Sequence, residues 1–217
     1  MVASEIAPPA RTDTAGRAAT PTEDLVAALL GSLIIIGAAT DGWAHVNILS
    51  SVQEDGFFTL WHGLLYSGFA ATAAWTFWLA YQRRDRFPRW WVDGWPAGYR
   101  VGAVGVGIFL LAGLFDMVWH TVFGIEVTID ALLSPSHLML CVGSVLLLTS
   151  PFRSWWHADD GSTRRTAAAV LALALGTTSV SVFLGYVSFF DYPAPTMPFD
   201  GAVDSTAYTT AARGVAG

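Results

Sequence analysis

Asp116 and His120 lie four residues apart, and His137 follows after a short acidic loop, at the mouth of the next apolar run. On a helix the first two share one face. Carboxylate and imidazole together suit Zn, Cu, Fe or Ni, and a single cysteine, Cys141 within an apolar run, argues against a thiolate site. The same chemistry stands 75 residues earlier: Asp41, His45, Asp55, His62 and Gly68 align without a gap with Asp116, His120, Asp130, His137 and Gly143. Four of the five histidines thus belong to two copies of D-x3-H-x9-D-x6-H-x5-G. An internal repeat of this kind organises a chain before anything else does.

Each copy can supply an Asp-His-His set, Asp41, His45 and His62 or Asp116, His120 and His137. Such a set leaves coordination positions open, as catalytic metal sites do. The Asp either ligates directly or orients a His from behind, and spacing allows both. A lone His at a helix end is more often interfacial or hydrogen-bonded than a ligand; repetition is what lifts these above that reading. Asp55 and Asp130 carry less weight, since loop acids also serve solvation. His157, in WWH beside Asp159 and Asp160, reads as interfacial.

The elements that must position these residues are apolar. Hydrophobic residues make up 53% of the chain and charged residues 13%, with a mean hydropathy of +0.49. Soluble domains carry about 25% charged residues, so the composition indicates a membrane protein. A net charge of −6 excludes the basic face that nucleic-acid binding needs. Every basic residue is Arg. One cysteine permits no internal disulfide.

Residues 1–22 are rich in Ala, Pro, Thr and Glu and are expected to form a disordered cytoplasmic tail. Five apolar segments follow, at about 24–46, 57–81, 98–123, 134–152 and 166–190. The expected fold is an all-α, multi-pass membrane bundle over 23–190 with five transmembrane helices, each needing about 20 residues. The repeats occupy about 24–81 and 98–152. The fifth helix, lacking the repeat and any ionisable residue, is expected to be peripheral, and 191–217 to form an extracytoplasmic tail. Gly98 and Gly102 form a small-xxx-small pair suited to close helix approach.

Arg83, Arg84, Arg86, Arg89 and Arg100 follow the second segment, and Arg153, Arg164 and Arg165 the fourth. The other two loops hold Glu54 and Asp55, then Glu126 and Asp130, without a basic residue. The positive-inside rule puts the N-terminus and the Arg loops in the cytoplasm. The two repeats then run in parallel, related by an axis along the membrane normal, with both Asp/His sets near the outer surface.

Asp116-Met-Val-Trp119-His120 followed by Ser134-Pro135-Ser136-His137 resembles the copper-site motif of the C subunit of particulate methane and ammonia monooxygenases. In that family a D-x-x-W-H run on one membrane helix and a T/S-P-S/T-H at the start of the next bind copper. The resemblance implies Asp116, His120 and His137 as ligands and covers about 25 residues. The intervening loop is longer here, the copy at Asp41, His45 and His62 lacks the Pro, and five spans are fewer than the family's.

The leading expectation is a membrane protein with an outward-facing copper or zinc site, a relative or accessory of copper monooxygenases. The bilayer is its partner, with other membrane subunits or further copies of itself. The alternatives are metal-ion or proton transport through paired Asp/His residues, and a structural or assembly subunit whose polar cluster only locks helix packing.

Overall fold

A computed structural model describes residues 18–44, 59–123, 133–158 and 160–184. They form seven helices: α1 Pro21–Ala44, α2 Leu60–Tyr81, α3 Trp90–Asp93, α4 Tyr99–Phe123, α5 Pro135–Leu148, α6 Ser150–His157 and α7 Thr163–Leu184. No strand occurs among the described residues. The chain divides at Phe183, and all of these helices but the last residue of α7 belong to the first unit.

Local chemistry sets the helix starts. Thr20 and Glu23 make a reciprocal capping box: the Thr20 N–H donates to Glu23 Oε2 at 2.7 Å and the Glu23 N–H to Thr20 Oγ1 at 3.2 Å. Pro21 takes the first helical position, where its missing N–H costs nothing. The helix therefore begins at Pro21, inside the segment expected to be disordered; residues 1–17, and the tail 191–217, lie outside the described residues. Thr59 caps α2 and Ser134 caps α5, each accepting the backbone N–H of the histidine three residues on.

Among the described residues, four helices are long and apolar enough to cross a membrane: Pro21–Ala44, Tyr99–Val122, Pro135–His157 (α5 continued through α6) and Thr163–Leu184. Five were expected. The second segment, α2, has 22 residues, or about 33 Å of rise, but Trp61, His62, Tyr66, Ser67, Thr72, Trp75 and Thr76 make it less apolar. The buried ionisable groups lie at the two ends of the bundle, around an apolar core, and the outer faces are apolar. Along α4, Val101, Val104, Leu111, Leu114, Val118 and Val122 are all exposed while Asp116 is buried. An apolar face of that length suits lipid, since soluble monomers expose only small apolar patches.

The helices pair along the sequence, α1 with α2 and α4 with α5. Each pair meets at a glycine in α2 or α5 that no other residue can replace without displacement. A Cβ on Gly68 would stand 2.7 Å from the Leu33 carbonyl carbon, and one on Gly143 2.7 Å from the Phe109 nitrogen. The core between the pairs is built from Ile34, Phe69, Val106, Phe109, Ala112, Leu140, Leu147, Leu148 and Leu175. Gly98 precedes α4 rather than joining it. Its φ of +87° makes the turn, and its Cα packs on the backbone of Arg153 and Ser154.

At the Arg-rich end, Asp24 is fully buried. It accepts hydrogen bonds from Tyr99 Oη at 2.8 Å, Ser154 Oγ at 3.1 Å and Arg165 Nη1 at 2.8 Å, which ties α1, α4, α6 and α7 together. Arg165 also donates to Asp160 Oδ2 from Nε and Nη2. Those bonds hold the Asp160 carboxyl down at about 2, so this outer grip is lost only as the pH falls through that value. The fifth apolar segment is thus pinned to the bundle at this end by a residue that precedes it in the sequence. Its helix starts three residues earlier than apolarity suggests, carries Arg164 and Arg165, gives Leu175 to the core and joins Ser179 to Ser144 at 2.6 Å.

Breaking a buried ion pair from one side leaves an uncompensated charge and costs about 3–5 kcal/mol. R165M should therefore lower the unfolding temperature in detergent sharply, and adding D24N should recover part of the loss. Equal losses in the single and double variants would mean that Arg165 acts through packing alone.

Candidate metal centre

Asp116 lies near the end of α4, within two turns of its last residue, and is 1% exposed. His120 is one turn further on, as the four-residue spacing requires, and its Nε2 is 3.5 Å from Asp116 Oδ1. His137 stands in the first turn of α5 and brings its Nε2 to 3.7 Å from the same oxygen. Ligand atoms of all three lie within 4.8 Å of one another. The two imidazoles meet edge to face, with centroids 5.8 Å apart.

The hydroxyls around His137 fix where its proton sits. Ser136 Oγ donates its single proton to Asp116 Oδ1 at 2.8 Å, so it can only accept at its 3.0 Å contact with Ser134 Oγ. Ser134 therefore donates to Ser136 and has only lone pairs left for His137. The His137 backbone N–H reaches those lone pairs at 3.3 Å and Nδ1 at 2.8 Å. Nδ1 must then carry a hydrogen. In the neutral ring Nε2 is left as a bare lone pair, aimed at a buried carboxylate oxygen. Two such atoms repel. A proton on Nε2 or a metal ion between them relieves that repulsion.

In the first copy, His62 is buried and its Nδ1 lies 3.1 Å from Thr59 Oγ1 and 3.3 Å from Asp41 Oδ1. Asp41 thus faces Nδ1, the arrangement by which a carboxylate orients a histidine from behind and leaves Nε2 outward. In the second copy Asp116 faces Nε2 itself. The two sets therefore differ in geometry although their spacing is identical. His45 lies outside the described residues, as do Asp55 and Asp130, so the first set is seen only as the Asp41–His62 pair. His157 ends α6 and is exposed, as expected of an interfacial residue.

Sequence reasoning passed over three hydroxyls. Ser134 and Ser136 stand in the sequence only as letters of the S-P-S-H motif, and Thr59 stands 75 residues before Ser134 outside any motif. The available signal was a Ser or Thr three residues ahead of each second histidine. No family model, curated protein or solved structure matches the chain.

Ser134→Ala removes both an N-cap, worth about 1 kcal/mol, and the acceptor that holds the Nδ1 hydrogen. Nitrogen NMR of histidine-labelled, metal-free protein above neutral pH should show His137 as a single Nδ1–H form. In S134A it should become a tautomer mixture. An Nε2–H form in the parent protein would contradict the hydroxyl assignment.

Proposed function

We propose that this is a multi-pass membrane protein that holds one copper or zinc ion between Asp116, His120 and His137. The observation that carries the reading is the pair of Nε2 atoms converging on Asp116 Oδ1 at 3.5 and 3.7 Å. Ligands at 2.0–2.2 Å from a tetrahedral ion are about 3.4 Å apart, so the three side chains need only small shifts to close on a metal. Ser136 and Ser134 supply the outer hydrogen bonds that such sites need to fix ligand orientation. Three protein ligands leave a position open for water or substrate. The resemblance to the copper motif of methane and ammonia monooxygenases favours copper, and a monooxygenase-like or accessory role.

We further infer five spans, with α2 crossing beside α1. Support comes from contacts at both ends of that pair. Trp75 Nε1 donates to the Glu23 carbonyl at 3.2 Å at one end, and His62 meets Asp41 at the other. An internal two-helix repeat is supported by the matched caps Thr59 and Ser134 and the matched contacts of Gly68 and Gly143. The Arg loops put the N-terminus inside and the metal site outside.

A transport role is less favoured. Ile34, Phe69 and Phe109 form an apolar layer between the metal site and the Asp24–Arg165 pair. The hydroxyls of Thr72 and Thr76 at mid-helix are turned back on their own helix carbonyls at 2.8 and 2.9 Å.

Protein purified in detergent should hold about one metal ion per chain by elemental analysis, and H120A and H137A should each lose nearly all of it. In intact cells an impermeant chelator should strip the ion. Metal retained in both variants would sink the site, and metal that resists the chelator until the membrane is opened would reverse the orientation.

A further inference from the structure

The end of the bundle opposite the metal centre carries more positive charge than its own acids neutralise. All eight arginines among the described residues lie there, against five acids: Glu23, Asp24, Asp85, Asp93 and Asp160. Three of the arginines are held inside the fold. Arg83 pairs with Glu23 at 3.2 Å, and Arg165 with Asp24 and Asp160 at 2.8 Å each. Arg153 donates to the Gly98 carbonyl at 2.9 Å and to Ser150 Oγ at 3.0 Å. The other five, Arg84, Arg86, Arg89, Arg100 and Arg164, are exposed. Asp85 at 4.0 Å from Arg84 and Asp93 at 3.5 Å from Arg89 form pairs open to water, which bind weakly. Eight cations against five anions leave an excess of three.

The same end exposes aromatic rings. Trp91 is 56% and Trp156 71% exposed. Trp78, Tyr81, Trp90 and Trp91 touch in succession, with centroids 5.9, 5.5 and 5.9 Å apart, and the Arg84 guanidinium lies 4.4 Å above the Tyr81 ring. Rings with a polar edge, interleaved with cations, suit the boundary between a bilayer and water.

We propose that this end, built on the connection from α2 to α4 and the first turns of α4 and α7, binds the head groups of anionic lipids. The proposal rests on the reading of the chain as membrane-spanning and is independent of the metal centre. The rings need an apolar partner and the guanidiniums an anionic one, and an anionic phospholipid carries both in one molecule. Its phosphodiester accepts charge-assisted hydrogen bonds from guanidinium. A zwitterionic lipid offers the same phosphodiester but brings a cation with it, which the excess positive charge repels. Each arginine near an anionic surface contributes a factor of about five in relative affinity.

Tryptophan quenching in mixed bilayers tests this, with either phosphatidylglycerol or phosphatidylcholine brominated on its chains. The parent protein should favour brominated phosphatidylglycerol by about fivefold or more. R84Q/R86Q/R89Q should bring the ratio to within about twofold of unity, while R84K/R86K/R89K, which keeps the charge, should retain most of it. Salt at about 1 M, which shortens the screening length to about 3 Å, should remove the preference from the parent protein without any substitution. Inorganic phosphate at matched ionic strength should not. Equal quenching by the two lipids would leave the arginines to a soluble acidic partner and overturn the proposal. A preference that survives both the Gln substitutions and high salt overturns it as well, as does one that inorganic phosphate abolishes. Quenching by neither lipid would instead overturn the membrane reading itself.

Discussion

A carboxylate taken out of water must be given a positive partner, and the described residues bury two of them. Asp24 at one end and Asp116 at the other are both essentially inaccessible. The idealised cost of moving such an ion into a low-dielectric interior is on the order of 20 kcal/mol. The two ends meet it differently. Asp24 receives a permanent cation, the Arg165 guanidinium, with Tyr99 and Ser154 filling its remaining acceptor capacity. Asp116 receives two imidazoles and a serine hydroxyl. A guanidinium cannot be exchanged for anything. Imidazoles can hold a proton or give it up for a metal, so the second solution is the one that leaves room for chemistry.

The rest of the architecture follows from where those two carboxylates sit. Both face inward because the outer surfaces of the helices are apolar, as the exposed stripe of α4 shows. Helices can enclose polar groups only if they come close, and Gly68 and Gly143 let each pair approach until one backbone touches the next. Between the two polar ends the core is Ile34, Phe69, Phe109 and Leu147, which keeps the ends chemically separate. The hydroxyls at Ser134 and Ser136 serve twice, closing the start of α5 and holding His137 and Asp116 in register.

Much of this was legible in the residues. Apolar runs showed the helices, and the four-residue spacing of Asp116 and His120 put them on one face because helix geometry leaves little choice. The short acidic loop was enough to return His137 to the same level. What spacing cannot fix is which ring nitrogen a histidine presents, since that depends on helix rotation and rotamer; hence His62 and His137 look equivalent in sequence and differ in the fold. Asp24 was invisible for another reason. An acid in the first turn of a helix is ordinarily explained by the helix dipole, and its partner Arg165 is 141 residues away. The capping box at Thr20 and Glu23 was readable and would have moved the start of α1 to its observed place.

The central claim is that the positive charge Asp116 requires is supplied by a metal that His120 and His137 also bind. X-ray absorption at the edge of the resident metal in purified protein tests this directly. The account predicts a first shell with two imidazole nitrogens at about 2.0–2.1 Å and oxygen ligands completing it, with the metal's edge nearly absent from H137A. A shell of oxygen alone, or one unchanged by loss of His137, would contradict it and leave Asp116 paired with protons rather than with a metal.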